Sequence, residues 1–385
     1  MKIVIAADSF KGSNSAQNVV ALIRKGILRV FPEAETVLLP VADGGEGTVD
    51  ALLFAADGNA YTETVLDPLG RPIAAKYGVL PNQTAVIEMA AASGLPLLKD
   101  TERDPRVTTT YGTVQLMVKA MERGCKKIIL GVGGSATNDG GAGMAQALGV
   151  SLRDENGEEL GFGGAELARL KTIDLSGIHP LLSSCEIIIA CDVQNRLCGS
   201  EGASAVYGPQ KGAGPEDIAL LDSCLAHYAQ VILEQIGADV AQIPGSGAAG
   251  GLAAGLLAFC GASIQSGVDT VLDALEFENH IRDADLVITG EGRIDSQSIY
   301  GKVPVGVARR SKAVRDIPVI AVVGDIGDDA SVVYRYGIDA IMGSVSRVMT
   351  LPEVLQNASR SLEECVERMM RLIRIGMEVA SSLRC

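Results

Sequence analysis

Short runs of consecutive apolar residues recur along the chain, and a polar loop rich in glycine or acidic residues follows each of them. Continuous apolar runs are typical of strands that are buried on both faces of a parallel sheet. The runs lie at 3–7, 37–41, 128–130, 186–191, 286–289 and 319–323. The loops after them begin at Asp8, Ala42, Gly131, Asp192, Gly290 and Gly324. The pattern predicts an α/β fold with largely parallel sheets.

Helical spacing fills several of the segments between these runs. Ser15 is placed to cap a helix whose apolar residues share one face and which ends at Pro32. Residues 215–236 show a second helical pattern. Near the end of the chain, Thr350 and Glu353 match a capping box at the start of a terminal helix. Strands and helices therefore alternate, as α/β architecture requires.

A different pattern between residues 61 and 89 indicates a second domain. Two alternating runs are joined there by the turn 67–70, which predicts a hairpin. A chain of 385 residues is also longer than one ordinary domain. We therefore expect a discontinuous Rossmann-like α/β domain made of 1–60 and 283–385. A second α/β domain, 61–282, is inserted into it.

Composition and charge narrow the range of partners. The formal charge of −14 disfavours nucleic acid and acidic membranes, although a local cluster of lysine and arginine can still bind a small anion. The eight cysteines form no C-x-x-C motif, which is typical of reduced thiols in the cytoplasm. No apolar run is long enough to span a bilayer, and the first residues do not form a signal peptide.

The loop from Gly131 to Gly143 is the most informative segment of the sequence. It follows an apolar run and precedes a helical one, so its backbone N–H groups and the helix N-terminus can bind an anion. It also contains more polar side chains than a tight turn needs. The candidate binding residues in this loop are Gly133, Gly134, Ser135, Thr137, Asn138 and Asp139.

Dinucleotide binding is the main alternative for this loop. Residues 131–136 fit G-x-G-x-x-A, and Asp154 is spaced as a ribose-binding acid would be. However, polar residues 137–139 stand where a Rossmann helix is already apolar. A second glycine match at 245–250 follows 238–244, which is a poor strand. An NAD(P)-dependent oxidoreductase of small hydroxy acids therefore stays the weaker hypothesis, and a non-catalytic anion sensor is a further one.

Phosphoryl transfer fits the charged loops better. It needs cations for the migrating phosphate and carboxylates for Mg²⁺, and the chain lacks the serine-elbow, H-E-x-x-H and Walker motifs of other chemistries. Because ligands bind at the carboxyl ends of parallel strands, we expect the loops to share one sheet edge. The basic candidates are Lys11, Lys211, Arg293 and Lys302. The acidic candidates are Asp8, Asp43, Asp139, Asp192, Glu291 and Asp295.

Seven motifs together resemble the bacterial type I glycerate kinase (glycerate 2-kinase) family. They are DSFKGS at 8–13, ADGGEGT at 42–48, GVGGSATNDGGAG at 131–143, CDVQN at 191–195, YGPQKGA at 207–213, GSGAAGG at 245–251 and TGEGRID at 289–295. The resemblance implies two α/β domains, one of them flavodoxin-like, with the active site in the cleft between them. It also implies ATP and Mg²⁺ as cofactors. D-glycerate would be the acceptor and 2-phosphoglycerate the product, with a 3-phosphoglycerate-forming kinase as the alternative.

As a mechanistic hypothesis, we assign catalytic roles to four residues. Lys11 and Arg293 would neutralise phosphates or the glycerate carboxylate, and Asp192 and Asp295 would hold Mg²⁺ or orient the hydroxyl. The family usually has proline where this chain has Arg196, which changes the bend or the charge of that loop. Both a monomer and a homodimer are compatible with the sequence. The residues expected to bind glycerate or ATP are Asp8, Ser9, Asp43, Gly44, Gly45, Gly133, Gly134, Ser135, Thr137, Asn138, Asp139, Lys211, Gly290 and Glu291.

Overall fold

The structure is a computed structural model and describes residues 1–383. Within that range the chain forms thirteen β-strands and twelve α-helices, joined by turns and short 3₁₀ helices. The strands are β1 (Lys2–Ala7), β2 (Glu35–Pro40), β3 (Asn59–Leu66), β4 (Pro72–Val79), β5 (Thr84–Glu88), β6 (Lys127–Gly131), β7 (Ser151–Arg153), β8 (Thr172–Asp174), β9 (Glu186–Ala190), β10 (Ser263–Gln265), β11 (Leu286–Ile294), β12 (Val319–Ile326) and β13 (Ala340–Gly343). All six apolar runs are strands, so the predicted α/β fold is confirmed.

The helices follow the predicted signals closely. They are α1 (Ala16–Leu28), α2 (Thr48–Ala56), α3 (Ala90–Ser93), α4 (Tyr111–Glu122), α5 (Ala142–Ala147), α6 (Ala203–Tyr207), α7 (Pro215–Ile236), α8 (Leu252–Cys260), α9 (Gly267–Ala274), α10 (Phe277–Ile281), α11 (Val303–Val314) and α12 (Leu351–Ser382). Ser15 caps α1, since its side chain accepts a hydrogen bond from the Asn18 N–H at 3.3 Å. The capping box of Thr350 and Glu353 is present at the start of α12. Helix α1 ends at Leu28, one turn before the predicted stop at Pro32.

Residue contacts divide the chain into two compact units. Unit 1 consists of Met1–Asp43, Asp50–Ala56 and the chain from Val268 onward, and unit 2 consists of Gly44–Val49 and Asp57–Gly267. The domain boundaries that we expect from the sequence stay a prediction.

Unit 1 contains a five-stranded sheet with the order β13-β12-β11-β1-β2, and every neighbouring pair is parallel. Numbered within the sheet, this is the 2-1-3-4-5 order of flavodoxin-like folds. The strand order switches direction between β1 and β11. Helices α1 and α12 cover one face, where Val19 and Ile23 of α1 and Val366 and Met369 of α12 share one buried cluster with β1.

Unit 2 contains a six-stranded sheet with the order β10-β9-β6-β5-β4-β3. Strands β10, β9, β6 and β5 are parallel, whereas β4 is antiparallel to both β5 and β3. Strands β3 and β4 form the predicted hairpin, and the Asp67 N–H donates to the Arg71 carbonyl at 2.7 Å across its turn. A separate antiparallel pair, β7 and β8, completes the unit.

Two predictions about the strand-end loops were wrong. The loops do not share one edge, because β6 and β9 belong to the unit 2 sheet and the other four runs to the unit 1 sheet. An apolar run shows that a strand is buried but not which strand it pairs with. In addition, residues 290–294 and 324–326 continue β11 and β12 instead of forming loops. Glycine permits this continuation, since a Cβ at Gly290 would lie 2.4 Å from the Val322 carbonyl oxygen.

No helix within residues 1–383 is long and apolar enough to cross a membrane.

Candidate functional site

Unit 1 has a pocket of about 860 Å³ at the carboxyl end of its sheet. The segment from Asp8 to Lys11, which follows β1, lines this pocket. The end of the neighbouring strand β11, from Glu291 to Arg293, lines it as well. The pocket is therefore at the switch point of the strand order, where open α/β sheets bind their ligands. We call it the unit 1 pocket.

Asp8 is a half-buried carboxylate at the end of β1. Its Oδ1 accepts a hydrogen bond from the Ser9 N–H at 2.5 Å. Burial, followed by the nearby charge of Asp43, raises the pKa of Asp8 to about 6. The hydrogen bonds from Ser9 and the charge of Lys11 oppose that increase. At neutral pH this carboxylate is mostly ionised, with a basicity closer to the operating pH than that of an ordinary aspartate.

Glu291 is more deeply buried, with 6% of its surface exposed. The Ser298 hydroxyl donates to its Oε1 at 2.9 Å, and the Lys302 Nζ is 3.8 Å from the same oxygen. Burial raises the pKa of Glu291 to about 7, although Lys302 and Ser298 both lower it. The neighbouring charges of Asp8 and Asp295 raise it further. A cation brought into the pocket would therefore favour the ionised form of this acid.

Three basic side chains complete the polar part of the unit 1 pocket. Arg293 is exposed and pairs with two acids, its Nε lying 3.3 Å from the Asp295 Oδ2 and its Nη1 3.3 Å from the Asp325 Oδ2. The Lys302 Nζ is 3.7 Å from the Asp295 Oδ1 and donates to the Arg293 carbonyl oxygen at 3.3 Å. Lys11 is exposed at the rim. Side chains of both signs thus alternate around the pocket, as an anion with its counter-cation requires.

Asp295 has a second function besides its ion pairs. It caps the short 3₁₀ helix Ser296–Ile299, and its Oδ1 accepts from the Gln297 N–H at 3.0 Å. The Ser298 hydroxyl in turn accepts a hydrogen bond from the Asp295 N–H at 3.1 Å. Ser298 therefore links Asp295 to Glu291, a connection that the sequence did not suggest.

Five predicted or motif glycines come together at the carboxyl edge of the unit 2 sheet, and we call them the glycine edge. They are Gly44, Gly45, Gly131, Gly133 and Gly134. A Cβ at Gly131 would lie 2.2 Å from the Gly44 carbonyl oxygen, and one at Gly133 would lie 3.1 Å from the Gly45 Cα. Gly133 and Gly134 are exposed. Backbone can therefore approach a ligand closely at these two residues.

Glu88 lies at the same edge, and sequence reasoning missed it. Its Oε1 accepts hydrogen bonds from the Gly47 N–H at 3.1 Å and the Val49 N–H at 2.8 Å. A carboxylate next to the first N–H groups of a helix stabilises that helix end, here α2. In the sequence, Glu88 is visible only as the last residue of a short strand, and this position does not distinguish it from other acidic residues.

Asp192 follows β9 and is half-buried. Its Oδ1 accepts a hydrogen bond from the Gly267 N–H at 3.0 Å. Strand β9 neighbours β6, so Asp192 and the loop from Gly131 leave the same edge of the unit 2 sheet. Further along the Asp192 loop, Arg196 is exposed and donates to the Gln242 Oε1 at 2.9 Å.

The second half of the Gly131–Gly143 loop lies inside unit 2. Ser135 is nearly buried, and Thr137, Asn138 and Asp139 are fully buried. The Asn138 amide donates to the Ser204 hydroxyl at 3.0 Å. The carboxylate of Asp139 accepts from the N–H and hydroxyl of Thr110, both at 2.8 Å. These hydrogen bonds connect residues of unit 2 to one another, so the exposed part of the predicted anion site is limited to Gly133 and Gly134.

Lys211 is also inside unit 2, with 1% of its surface exposed. Its Nζ donates to the Thr137 carbonyl oxygen at 2.6 Å. Burial lowers the pKa of Lys211 to about 7, while the charge of Asp139 acts in the opposite direction. Burial also raises the pKa of Asp139. Lys211 therefore ties the 3₁₀ turn at 209–211 to the loop.

The geometry argues against the dinucleotide hypothesis. After β6 ends at Gly131, α5 does not begin until Ala142, so the loop lacks the immediate helix of a Rossmann fingerprint. The expected ribose acid is already engaged, because Asp154 pairs with the Arg169 Nη2 at 2.6 Å. Its Oδ1 also accepts from two backbone N–H groups of its own turn.

The donor set at both edges suits Mg²⁺ only together with a phosphate ligand. Within residues 1–383, no group of three or more His, Cys, Asp or Glu side chains is arranged to hold a metal ion. Mg²⁺ is commonly bound by one or two carboxylates, several waters and the phosphates of a substrate. A single carboxylate such as Asp295 or Asp192 fits that pattern.

A doubly wound sheet with charged side chains at its switch point, and a second sheet with a glycine edge, define an α/β protein with a candidate site for a charged ligand. The family model of the Glycerate kinase family matches residues 3–374. Glycerate 2-kinase of Escherichia coli K12 is 50% identical over 381 residues, which cover 99% of this chain and 100% of the relative. The glycerate kinase of Halalkalibacterium halodurans is 50% identical over 363 residues, covering 94% and 95% of the two chains.

A solved crystal structure, provisionally assigned as glycerate kinase 2 from Salmonella typhimurium LT2, has the same fold. Its TM-score is 0.90 at 47% identity, over 98% of this chain and 99% of that chain. The chain therefore belongs to the glycerate kinase family, and the protein is a phosphotransferase.

Proposed function

We propose that the enzyme transfers the terminal phosphoryl group of ATP to the 2-hydroxyl of D-glycerate, giving 2-phosphoglycerate and ADP. The observation that carries this proposal is the 50% identity, over the whole length of both chains, to a relative named glycerate 2-kinase. The charged unit 1 pocket supports it, because phosphoryl transfer needs both basic and acidic groups around the phosphates. The alternative product is 3-phosphoglycerate.

Asp8 is the residue that we propose as the general base. It is ionised at neutral pH and half-buried at the switch point, and it is more accessible than Glu291. In the step, the hydroxyl proton moves to the Asp8 carboxylate as the substrate oxygen forms its bond to the γ-phosphorus. The bond between that phosphorus and the bridging oxygen breaks, and ADP leaves with the electron pair. A positioned base of this kind contributes about 10²–10⁴-fold to the rate.

The basic residues of the unit 1 pocket have the complementary role. Lys11, Arg293 and Lys302 supply positive charge where negative charge gathers on the phosphate oxygens. The guanidinium group of Arg293 can also bind a carboxylate with two hydrogen bonds. Its present partners are Asp295 and Asp325, and Arg293 and Asp325 both line the pocket.

Mg²⁺ is proposed as the cofactor, held together with the nucleotide by Asp295, which contacts the pocket residues Arg293 and Lys302. It would neutralise charge on the phosphates when bound. Asp192 stays a proposed second carboxylate, for metal or for orienting the hydroxyl. The exposed Gly133 and Gly134 remain candidates for contact with an anionic group through their backbone. We also propose the cytoplasm as the compartment, since the seven cysteines within residues 1–383 are free thiols.

The test is a coupled assay for ADP release with D-glycerate and L-glycerate, followed by phosphorus NMR of the product. We expect turnover with D-glycerate and the resonance of a 2-phosphate ester. Asp8→Asn should lower kcat at least about 100-fold, and kcat/KM of the wild type should fall as the pH drops through about 6, because kcat/KM reports the free enzyme. Lys11→Ala, Arg293→Ala and Asp192→Asn complete the series.

An exposed aspartate outside the site provides the matched control, Asp316→Asn, whose side chain is 94% exposed. It should leave kcat unchanged. A 3-phosphate product would overturn the proposed position of transfer. Near wild-type turnover of Asp8→Asn would remove Asp8 as the base.

A further inference from the structure

The unit 1 pocket is lined by apolar side chains as well as by charged ones, and we call the apolar part the apolar wall. The wall is formed by the first two turns of α12, with contributions from the segment before that helix. Its members are Val345, Met349, Leu351, Val354, Leu355 and Ala358. Leu351 is 70% exposed and Leu355 is 40% exposed. Large apolar side chains exposed in a concave site are typical of ligand-binding grooves.

The wall continues the buried face of α12. Leu351, Val354, Leu355 and Ala358 follow the i, i+3, i+4, i+7 spacing of one helix face. Further along the helix, residues such as Leu362 and Val366 continue the apolar stripe, and there α1 covers them. At its beginning, the same stripe faces the unit 1 pocket instead. Its apolar surface is therefore available to a ligand.

Binding of glycerate does not explain the presence of this apolar wall. Each of its three carbon atoms carries oxygen, so it has no apolar face to bury. At about 860 Å³ the pocket is also in the range of sites that hold drug-sized ligands. A nucleotide combines an apolar part and a charged part, and the pocket has partners for both. Its base is flat and largely apolar on its faces, and its phosphates are anionic.

We propose that the unit 1 pocket is the nucleotide site, with the purine base on the apolar wall at Leu351, Val354 and Leu355. The phosphates then point toward Lys11, Arg293 and Lys302. This inference rests on the proposed function and specifies which part of the chain binds the nucleotide. The proposal rests on one observation, which is that the charged residues at the switch point and the apolar wall line the same pocket.

The experiment measures ADP binding to the full-length enzyme by calorimetry, in the absence of glycerate. Leu355→Gln and Leu351→Gln each place an amide on the wall and should weaken ADP binding about tenfold. Leu355→Met keeps the wall apolar and should stay within about twofold of the wild type. Leu372→Gln is the matched control, because Leu372 lies on the same helix and is 63% exposed but does not line the pocket.

A second ligand isolates the contribution of the base. Inorganic tripolyphosphate carries the phosphates without a purine, so its affinity should be the same for the wild type and both glutamine variants. The KM for D-glycerate at saturating ATP should also stay within about twofold. Thermal unfolding of each variant checks that the fold is retained.

The failure of this inference is distinguishable from the failure of the proposed function. If the wild type phosphorylates D-glycerate but both glutamine variants bind ADP normally, the apolar wall is not the base site. Equal weakening of ADP and tripolyphosphate would also overturn it, because the loss would then not involve the base. If the wild type does not phosphorylate D-glycerate, the proposed function fails, whereas ADP binding still reports on the wall.

Discussion

Replacing Asp139 with asparagine removes one carboxylate oxygen from a buried hydrogen-bond cluster in unit 2. Its Oδ2 accepts from the Thr110 N–H and hydroxyl at 2.8 Å and from the Gly143 N–H at 3.2 Å. Its Oδ1 accepts from the Gly141 N–H at 3.2 Å. The carboxylate thereby joins the start of α4 to the start of α5.

The expected cost follows from these four bonds. The asparagine oxygen can replace Oδ2, but its NH₂ group then faces the Gly141 N–H, and two donors meet. A buried donor without an acceptor costs about 1–3 kcal/mol, and hydrogen bonds to a neutral acceptor are weaker than those to a charged one. Asparagine also avoids burying a charge, which offsets part of the loss. We expect the free energy of unfolding to fall by about 2–3 kcal/mol.

Urea denaturation followed by circular dichroism measures this change. Asp100→Asn is the control in the same unit, since its side chain is 88% exposed and its ion pair with Arg103 lies at the surface. Surface pairs contribute about 0–1 kcal/mol. For Asp139→Asn, the KM values for ATP and glycerate should stay within about twofold at a temperature where the variant is folded.

Two results would refute this reasoning. A loss of stability no larger than that of Asp100→Asn would show that the buried cluster contributes little. A large rise in either KM without a loss of stability would show that Asp139 acts on a ligand, as the sequence suggested.

Further predictions concern Lys211 and two glycines. Burial lowers the pKa of Lys211 to about 7, whereas an unfolded lysine titrates near 10.4, so between these values the unfolded state binds the additional proton. The free energy of unfolding of the wild type should therefore rise with pH relative to that of Lys211→Met, by up to about 1.4 kcal/mol per pH unit. Urea titrations of both proteins at pH 7, 8 and 9 measure this. A difference between the two free energies that stays constant with pH would contradict the prediction. Gly112→Ala should destabilise the enzyme by about 2 kcal/mol or more, because the new Cβ would lie 1.8 Å from the Leu66 carbonyl oxygen. Gly376→Ala, in α12 with no atom within 4 Å of the new Cβ, should instead stabilise the enzyme by about 0.5–1 kcal/mol. Thermal unfolding measures both glycine variants, and stability changes of the same sign would contradict the steric explanation.

Local patterns predicted individual elements well, because each signal acts within a few residues. The cap at Ser15 and the helix at 215–236 depend on hydrogen bonds and apolar spacing inside the element itself. The extension of β11 past Thr289 was not predictable in this way. Gly290 and Gly292 both have low strand propensity, and at Gly290 the neighbouring Val322 backbone approaches too closely for a side chain.

The candidate site was predicted in part for the same reason. Glycine-rich and acidic strand ends marked Asp8 and Glu291, since polar groups at a parallel sheet edge are a local feature. The direction in which a side chain points depends on packing, so sequence reasoning did not distinguish exposed Gly133 from buried Asp139. The apolar wall at Leu351 and Leu355 was not predicted, because helical spacing does not show what covers an apolar residue.

Among the described strands β1 is synthesised first, yet it lies inside the unit 1 sheet, between β2 and β11. Ile3 pairs with Leu286, so one side of the first strand waits for its partner until most of the chain has been synthesised. All strands of unit 2 are complete before β11 begins. Synthesis therefore favours an order of folding in which unit 2 folds first and β1 stays unpaired on one edge until β11 has been synthesised.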